Sequence, residues 1–491
     1  MTDVRADGQL LIASNRGPVS FARRADGTIF AKRGGGGMVS GLSAAADETP
    51  MLWVCAALSD TDRAAARQAP GGMLDAGELG GGASVRMLDI PPDVFDTAYN
   101  HVANSTLWFV HHMLYDIPNQ PSFGPGFARQ WEAFRQYNEM FADALAEAAA
   151  SKHRLPARAV IQDYHLCLAP RMLAERAPGL PVAHFSHTPW APPDYYRVLP
   201  EEVGREVLAG LLGADHAGFL CQRWADSFMD CCEELLGAKV DRDLRQVSYA
   251  GHVTTIGVHP LGVDADRLRA RAAESDVQAR MAALTDAAAG RKLIVRVDRT
   301  ELSKNITRGL EAYRELLRAH PEWHGKVVHV AFAYPSRYEL PEYRDYTAAV
   351  QRLADEIRAE FGAPGWDPLL LEVNDDYPRS LAACRLADVL LVNPIRDGMN
   401  LVAKEGPILS DRACALVLST EAGAAAELGS YALMVNPFDV TQTMNALHQA
   451  LTMNDAERAS RCSALAAAAA AFPPTRWLAE QLRALDRSTT G

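Results

Sequence analysis

Arg299 and Lys304 stand five residues apart in the run Val297-Asp298-Arg299-Thr300-Glu301-Leu302-Ser303-Lys304-Asn305, directly after an apolar stretch. Two cations at the end of a strand suit the charge that develops on a departing diphosphate. A second stretch, Arg396-Asp397-Gly398-Met399-Asn400-Leu401-Val402-Ala403-Lys404-Glu405, follows the mostly apolar Ala387–Ile395, which reads as a buried strand. Gly398 permits a sharp turn, and the amides after it are expected to open a helix. Such an N-terminus presents unpaired N–H groups and partial positive charge to a phosphate or a sugar hydroxyl. Asp397 at the turn can grip sugar hydroxyls. Glu405, expected two helical turns on, can reach a ribose. Together the two stretches point to an enzyme that takes a sugar from a nucleotide diphosphate.

Further residues fit the same chemistry. Arg16 lies in Ser14-Asn15-Arg16-Gly17-Pro18 after the first apolar run and could hold a phosphate. The run Gly34-Gly35-Gly36-Gly37 before Met38-Val39-Ser40-Gly41-Leu42 permits close approach of backbone to a phosphate or sugar. A hairpin tip is the plainer reading, and the spacing is not that of a dinucleotide fingerprint. Asp163 in Gln162-Asp163-Tyr164-His165 could orient acceptor hydroxyls, or could cap a helix. His187, before a proline-stiffened loop, can donate to a sugar hydroxyl, whereas His184 reads as part of the sheet. Tyr99 and Trp108 belong to an aromatic and amide-rich stretch of the kind that binds sugars, with core packing the alternative for Trp108. Arg337 follows the apolar run Val327–Phe332 and is a second phosphate candidate, with a surface ion pair the alternative. Asp264-Ala265-Asp266 has the form of a metal-binding D-x-D but sits in a crossing segment and carries little weight. No zinc spacing, Walker motif or G-x-S-x-G occurs.

The elements that must position these residues alternate apolar runs with amphipathic stretches, the pattern of βα units and parallel sheets. Strands are expected at Gln9–Ala13, Ala159–Ile161, Val182–Phe185, Ala217–Leu220, Leu293–Val297, Val327–Phe332, Val389–Val392, Ala415–Leu418 and Leu433–Val435. Helices are expected near Phe127–Ala150, Ile306–Arg318, Tyr346–Phe361 and Val440–Thr452, and the alanine run Ala466–Ala471 favours helix until Pro473-Pro474. Thr254 to Arg267, rich in Gly and Pro, reads as a crossing between halves. The expected organisation is an acceptor domain over 1–255, a donor domain over 256–472, and a last segment, 473–491, whose helix packs back onto the first half. Two doubly wound α/β domains facing a cleft would bring the motifs after several strands together, because ligands in open sheets bind beyond the carboxyl ends of the strands.

At 491 residues two domains are expected. A net charge of −12 argues against a nucleic-acid or anionic-membrane surface. No apolar run is long enough to span a bilayer, and the N-terminus lacks the apolar core of a signal peptide. Eight scattered cysteines with no C-x-x-C pair suit reduced thiols in a cytoplasm.

On these motifs the chain resembles the trehalose-6-phosphate synthase family, retaining glycosyltransferases of family 20 with the GT-B fold. Its variants look most like those of actinomycete members. The likeness runs from about Leu10 to the final helix and is most specific over Arg396–Glu405. It implies transfer of glucose from a nucleotide diphosphate glucose to glucose 6-phosphate, without metal or cofactor. It implies retention by front-face attack, with the departing phosphate helping to deprotonate the acceptor. Carried over, Arg299 and Lys304 match the diphosphate pair, Asp397 with the Gly398–Leu401 backbone matches the donor-glucose grip, and Glu405 matches the ribose contact. His187 matches the histidine beside the donor glucose and Asp163 the carboxylate near the reacting hydroxyls. Arg16, Arg337, Tyr99 and Trp108 match the acceptor pocket, and Gly37 the loop over the donor.

The chain departs from the family pattern at Gln162, where many members have histidine, and at Leu302-Ser303-Lys304-Asn305, in place of Tyr-Ser-Lys-Gly. It departs also at Cys55-Ala56, where a second tryptophan is common, and at His187-Thr188-Pro189-Trp190-Ala191, in place of His-Ile-Pro-Phe-Pro. Asp375 and Asp376 lie where the family holds the base. A carboxylate pairs with the two adjacent donors of guanine better than with uracil, so GDP-glucose is an expected donor beside UDP-glucose. Both carboxylates could instead face solvent or cap a helix. The competing readings are a family-20 relative with another acceptor (a glucosylglycerol-phosphate synthase or a pseudo-glycosyltransferase) and a silent subunit that binds sugar phosphates. The sequence leaves homo-oligomerisation open.

Overall fold

The computed structural model describes residues 9–33, 42, 51–74, 83–150 and 157–489. It divides into two compact units, Met1–Pro260 with Pro474–Gly491, and Leu261–Pro473.

In the first unit the strands are β1 (Gln9–Ser14), β2 (Val19–Arg23), β3 (Ile29–Arg33), β4 (Met51–Ala56), β5 (Met73–Leu74), β6 (Ser84–Leu88), β7 (Ala157–Gln162), β8 (Val182–Ser186), β9 (His216–Phe219), β10 (Lys239–Asp241), β11 (Gln246–Tyr249) and β12 (His252–Val258). Among the described residues they form a ten-stranded sheet, β10-β11-β12-β9-β8-β7-β1-β4-β6-β5, with β2 and β3 as a separate hairpin. Pairing is parallel from β12 to β6 and antiparallel only at the two edges. β4 (Met-Leu-Trp-Val-Cys-Ala) is buried at every position, as a strand covered by helices on both faces must be. The chain doubles back between β1 and β7, so their carboxyl ends diverge and leave a crevice at that switch point.

The second unit contributes β13 (Lys292–Arg299), β14 (Val327–Tyr334), β15 (Leu369–Glu372), β16 (Val389–Val392), β17 (Ala415–Ser419) and β18 (Leu433–Val435). Their order, β15-β14-β13-β16-β17-β18, is parallel throughout. This is the doubly wound order of a nucleotide-binding sheet, and its switch point lies between β13 and β16.

The residues expected to cross between halves are in part strand: β12 runs to Val258, and the units divide after Pro260. The backbone keeps its sheet partners on β9 through Val258, which a count of Gly and Pro does not reveal. The C-terminal helix Pro474–Thr489 belongs to the first unit. Its Trp477 is fully buried and meets the Phe185 ring edge-on at 5.0 Å. Among the described residues no helix is long and apolar enough to cross a membrane.

Three histidines lie deep in the sheets. Burial pushes His184 down to about 4 and His216 and His329 to about 3, and neither ring nitrogen of His329 has a hydrogen-bond partner. Each stays neutral in the fold but takes a proton in the unfolded chain near its ordinary pKa of about 6.5. The stability they contribute is complete above that value and is lost as pH falls toward 4 and 3, at about 1.4 kcal/mol per pH unit for each. Glu405, raised to about 7 by burial, acts in the opposite sense between its ordinary value and 7. His187 and His259 are lowered by burial in the same sense, so the imidazoles outweigh the one carboxyl and the urea midpoint is expected to fall between pH 7 and pH 5. A flat profile over that interval would mean these imidazoles are not buried neutral.

Candidate active site

At the first unit's switch point, β1 delivers Arg16 and β7 delivers Asp163. Arg16 is exposed just past the strand, while its neighbour Asn15 is buried and accepts from the Tyr137 hydroxyl at 2.5 Å. Ser14 Oγ donates to the Arg16 carbonyl at 2.7 Å and accepts from Trp53 Nε1 at 2.7 Å. The arginine's backbone is therefore anchored by core groups and its side chain projects from a fixed base.

Asp163 has φ 72 and ψ 167, a conformation that a non-glycine residue holds only under restraint. The restraint is on three sides. Its N–H donates to the Phe185 carbonyl at 2.7 Å, its carbonyl accepts from His184 Nε2 at 3.1 Å, and its Oδ1 accepts from the His187 N–H at 3.1 Å. The side chain makes no cap to the short helix Tyr164–Leu166 that follows, so the capping reading is not what the structure shows. It instead ties the end of β7 to the end of β8.

His187 Nε2 lies 2.8 Å from Gln162 Oε1, and its ring packs edge-on to Phe185. Desolvation first, and His184 second, push its pKa down to about 3, so the imidazole is neutral at working pH. Gln162 was not singled out as a site residue. With its carbonyl accepting, it fixes the proton on Nε2.

Tyr99 stacks on His165 at 5.6 Å and on Phe95 at 5.3 Å, within the π-helical stretch Thr97–Leu107. Trp108 is 9% exposed and stacks on His112 at 3.8 Å. Most of its surface is given to packing, which supports the core alternative for that residue.

In the second unit both motifs meet at the switch point. Lys304, on the single turn Leu302–Lys304, donates to Asp397 Oδ2 at 2.6 Å. Burial works against the ammonium, but Asp397, Glu301 and Asp298 outweigh it and its pKa is raised. Asp397 Oδ2 also accepts from Asn400 Nδ2 at 3.1 Å. Arg299, half-exposed at the end of β13, pairs with Glu301 Oε1 at 3.0 Å. Arg337, at φ 44, donates to the Tyr343 hydroxyl at 2.6 Å and lies 3.9 Å from the same Glu301 oxygen. Glu301 lies between the two cations of the first motif, and nothing in its neighbours' types shows that it is fully buried.

The helix after Asp397 opens later than expected. Asn400 is left-handed at φ 78, and the helix proper is Val402–Leu409. Asn400 Oδ1 accepts from the Ala403 N–H at 3.0 Å, so the bend over Gly398–Leu401 is capped from within. Glu405 therefore sits in the first turn, not two turns on. Lys404 is turned inward to the Leu261 carbonyl at 2.9 Å and Glu427 at 2.7 Å and takes a structural place.

Asp375 and Asp376 separate. Asp376 caps the helix Tyr377–Leu386 by accepting from the Arg379 N–H at 3.0 Å, and its other oxygen lies 2.9 Å from Arg280 Nε. Asp375 is exposed just before it. Asp264 accepts from the Arg267 N–H at 3.0 Å as a helix cap. Gly37 lies outside the described residues.

Among the described residues one His/Glu group could gather a metal: His320, Glu322 and His448. It lies at the opposite, amino-terminal edge of the sheet. The two rings stack at 3.7 Å, and Trp323 Nε1 donates to His448 Nδ1 at 3.2 Å, which leaves the proton on Nε2. That arrangement does not present two lone pairs to one ion.

The model of glycosyltransferase family 20 matches residues 8–487. The chain belongs to glycosyltransferase family 20. Among its family-20 relatives, an alpha,alpha-trehalose-phosphate synthase [UDP-forming] 2 from Aspergillus fumigatus is 33% identical over 93% of this chain and 92% of its own length. A probable alpha,alpha-trehalose-phosphate synthase [UDP-forming] 2 from Arabidopsis thaliana is 33% identical over 92% of this chain, which spans only 54% of that longer relative. A validamine 7-phosphate valienyltransferase from Streptomyces hygroscopicus is 29% identical over 97% of this chain and 94% of its own. The crystal structure of an alpha,alpha-trehalose-phosphate synthase (UDP-forming) from Burkholderia vietnamiensis superposes with a TM-score of 0.85 at 28% identity, covering 98% of this chain and 97% of that one. The α/β architecture of the family-20 chain is thus the GT-B fold of solved synthases.

Proposed function

We propose that this chain transfers glucose from UDP-glucose to glucose 6-phosphate, forming α,α-trehalose 6-phosphate with retention. The observation that carries the reading is the convergence of Arg299, Lys304 and Asp397 on the switch point of a nucleotide-binding sheet. Arg299 and Lys304 place positive charge where the diphosphate departs, and fixed charge of this kind is usually the largest catalytic term. Asp397 and the Gly398–Leu401 backbone take the donor glucose, and Glu405 the ribose. Neutral His187, tied to Asp163, presents its ring to the donor sugar, and Asp163 orients the acceptor hydroxyl. Arg16 and Arg337, with Tyr99, take the acceptor phosphate and sugar. The first unit with the C-terminal helix is assigned to the acceptor and the second unit to the donor. A cytoplasmic setting fits eight buried cysteines, all of them reduced thiols.

The test is a mass-spectrometric assay with glucose 6-phosphate and, separately, UDP-, GDP- and ADP-glucose, in EDTA. A disaccharide phosphate that trehalase cleaves to glucose after dephosphorylation is the expected product. Product only with glycerol 3-phosphate or a cyclitol phosphate would move the chain to another branch of the family. Binding without turnover would make it a silent subunit.

The UDP-forming names of the relatives favour UDP-glucose, and one of the two carboxylates behind the guanine expectation is engaged as a cap. Asp376→Ala is therefore expected to lose about 1 kcal/mol of stability, the usual value of a cap. Its GDP-glucose to UDP-glucose ratio should match the parent. Any base discrimination belongs to exposed Asp375, and Asp375→Ala should shift that ratio toward UDP-glucose. An unchanged ratio in both variants would remove the acidic loop from donor choice.

A further inference from the structure

Glu301 is wholly buried, and its surroundings are cationic. Its Oε1 lies 3.0 Å from Arg299 Nη1 and 3.9 Å from Arg337 Nη1, and it accepts from Ser336 Oγ at 2.9 Å. Its backbone is tied to the main chain of Arg299 and Lys304: its N–H donates to the Arg299 carbonyl at 2.8 Å, and its carbonyl accepts from the Lys304 N–H at 3.0 Å. Its Oε2 is buried and has no hydrogen-bond partner among the described residues. A carboxylate is costly to bury, and burial alone would raise its pKa, but Arg299, Arg337 and Lys304 hold it down to about 2. It is therefore ionised at every working pH. A fully buried anion placed among three cations does not add to the charge offered to a diphosphate. It subtracts from it. Its use must lie in where it holds those cations.

We propose that Glu301 is a positioning residue, which fixes the guanidinium groups of Arg299 and Arg337 relative to each other and so makes the binding of the donor diphosphate and of the acceptor phosphate interdependent. The proposal rests on the synthase reading of those two arginines. One oxygen serves both arginines, so a phosphate that draws Arg337 away changes the hold on Arg299. The spare Oε2 allows Glu301 to follow either guanidinium as it turns, without leaving its pocket.

Glu301→Gln keeps the shape and the Ser336 bond but removes the charge. Misplaced catalytic groups cost far more in turnover than in binding, so kcat is expected to fall about 10- to 100-fold. The dissociation constant for UDP, read by calorimetry, should stay within about threefold, because the cations remain and lose only a competing anion. Glu301→Asp should recover part of kcat. A kcat within about twofold of the parent would overturn the proposal, as would a loss of UDP affinity equal to the loss in kcat. If Glu301→Gln does not fold, Ser336→Ala loosens the same oxygen and should move kcat in the same direction by a smaller factor.

The synthase reading can fail separately. If the parent turns over no donor, calorimetry of glucose 6-phosphate with and without UDP still decides the point. Coupling between the two ligands present in the parent and absent in Glu301→Gln upholds the positioning role, and equal coupling in both defeats it.

Discussion

Lys304→Ala is expected to lower kcat/KM by about 10³-fold or more, at the upper end of what one oriented charge contributes to a transition state. Two effects add. The ammonium that meets the departing diphosphate is gone, and Asp397 keeps its hydrogen bond from Asn400 Nδ2 but loses the ammonium 2.6 Å from its Oδ2. A carboxylate left with less compensation then faces an incoming diphosphate of the same sign. The double variant Lys304→Ala/Asp397→Asn should therefore lose less than the sum of the two single losses. The double-variant cycle should show a coupling energy of the order of 1–3 kcal/mol, as contacting residues in one network do. A single variant within about tenfold of the parent would show that Arg299 alone carries the leaving group. Strict additivity in the cycle would show that the pair seen here is not maintained when the donor binds.

The same pair shows what could be read from the sequence. Arg299, Lys304 and Asp397 were legible because each stands directly after an apolar run, and a parallel sheet puts the ends of such runs at one edge. What was not legible is that Lys304 and Asp397, 93 residues apart, are bonded to each other. Hydrophobic runs also stop short of the strands they mark. β13 continues to Arg299, β7 to Gln162 and β8 to Ser186, because the ladder persists through the polar residues that bear the function.

The expected strands do not include β2–β6, β10–β12 or β15; apart from the β2–β3 hairpin, all of these but β4 lie toward the outer part of a sheet. β4 is as long as β1 and wholly apolar, so its pattern alone does not tell a buried strand from a buried helix segment. Asp376 caps a helix and Trp108 stacks on His112, contacts of the kind that the plainer reading of each residue expects. Glu301 and Gln162 could not be found from residue type: a carboxylate or amide is expected outside, and only the fold shows that it is fully enclosed.

Gly423→Ala is expected to cost about 10²-fold in kcat through the turn that Gly423 backs, because a displacement of about 1 Å in a reacting geometry has that effect. A Cβ at this position would collide with the carbonyl oxygen of Gly398 and stand 3.1 Å from Met399 Cα. Both neighbours are backbone and cannot rotate away. The segment is docked there by three contacts: the Gly423 N–H donates to the Asp397 carbonyl at 3.0 Å, the Ala424 N–H to the Met399 carbonyl at 2.8 Å, and Asp397 and Ala422 form a β-bridge. A methyl group must push the Asp397–Met399 turn outward, and Asp397 moves with it, away from Lys304. Overpacking of this kind costs about 1–3 kcal/mol of stability, which a two-unit protein of this size can absorb. The expected signature is thus a soluble protein with a modest fall in melting temperature and a large fall in kcat. A parental kcat with lowered stability would mean that the turn absorbs the methyl group without carrying Asp397 or the amides of Gly398–Leu401 out of place.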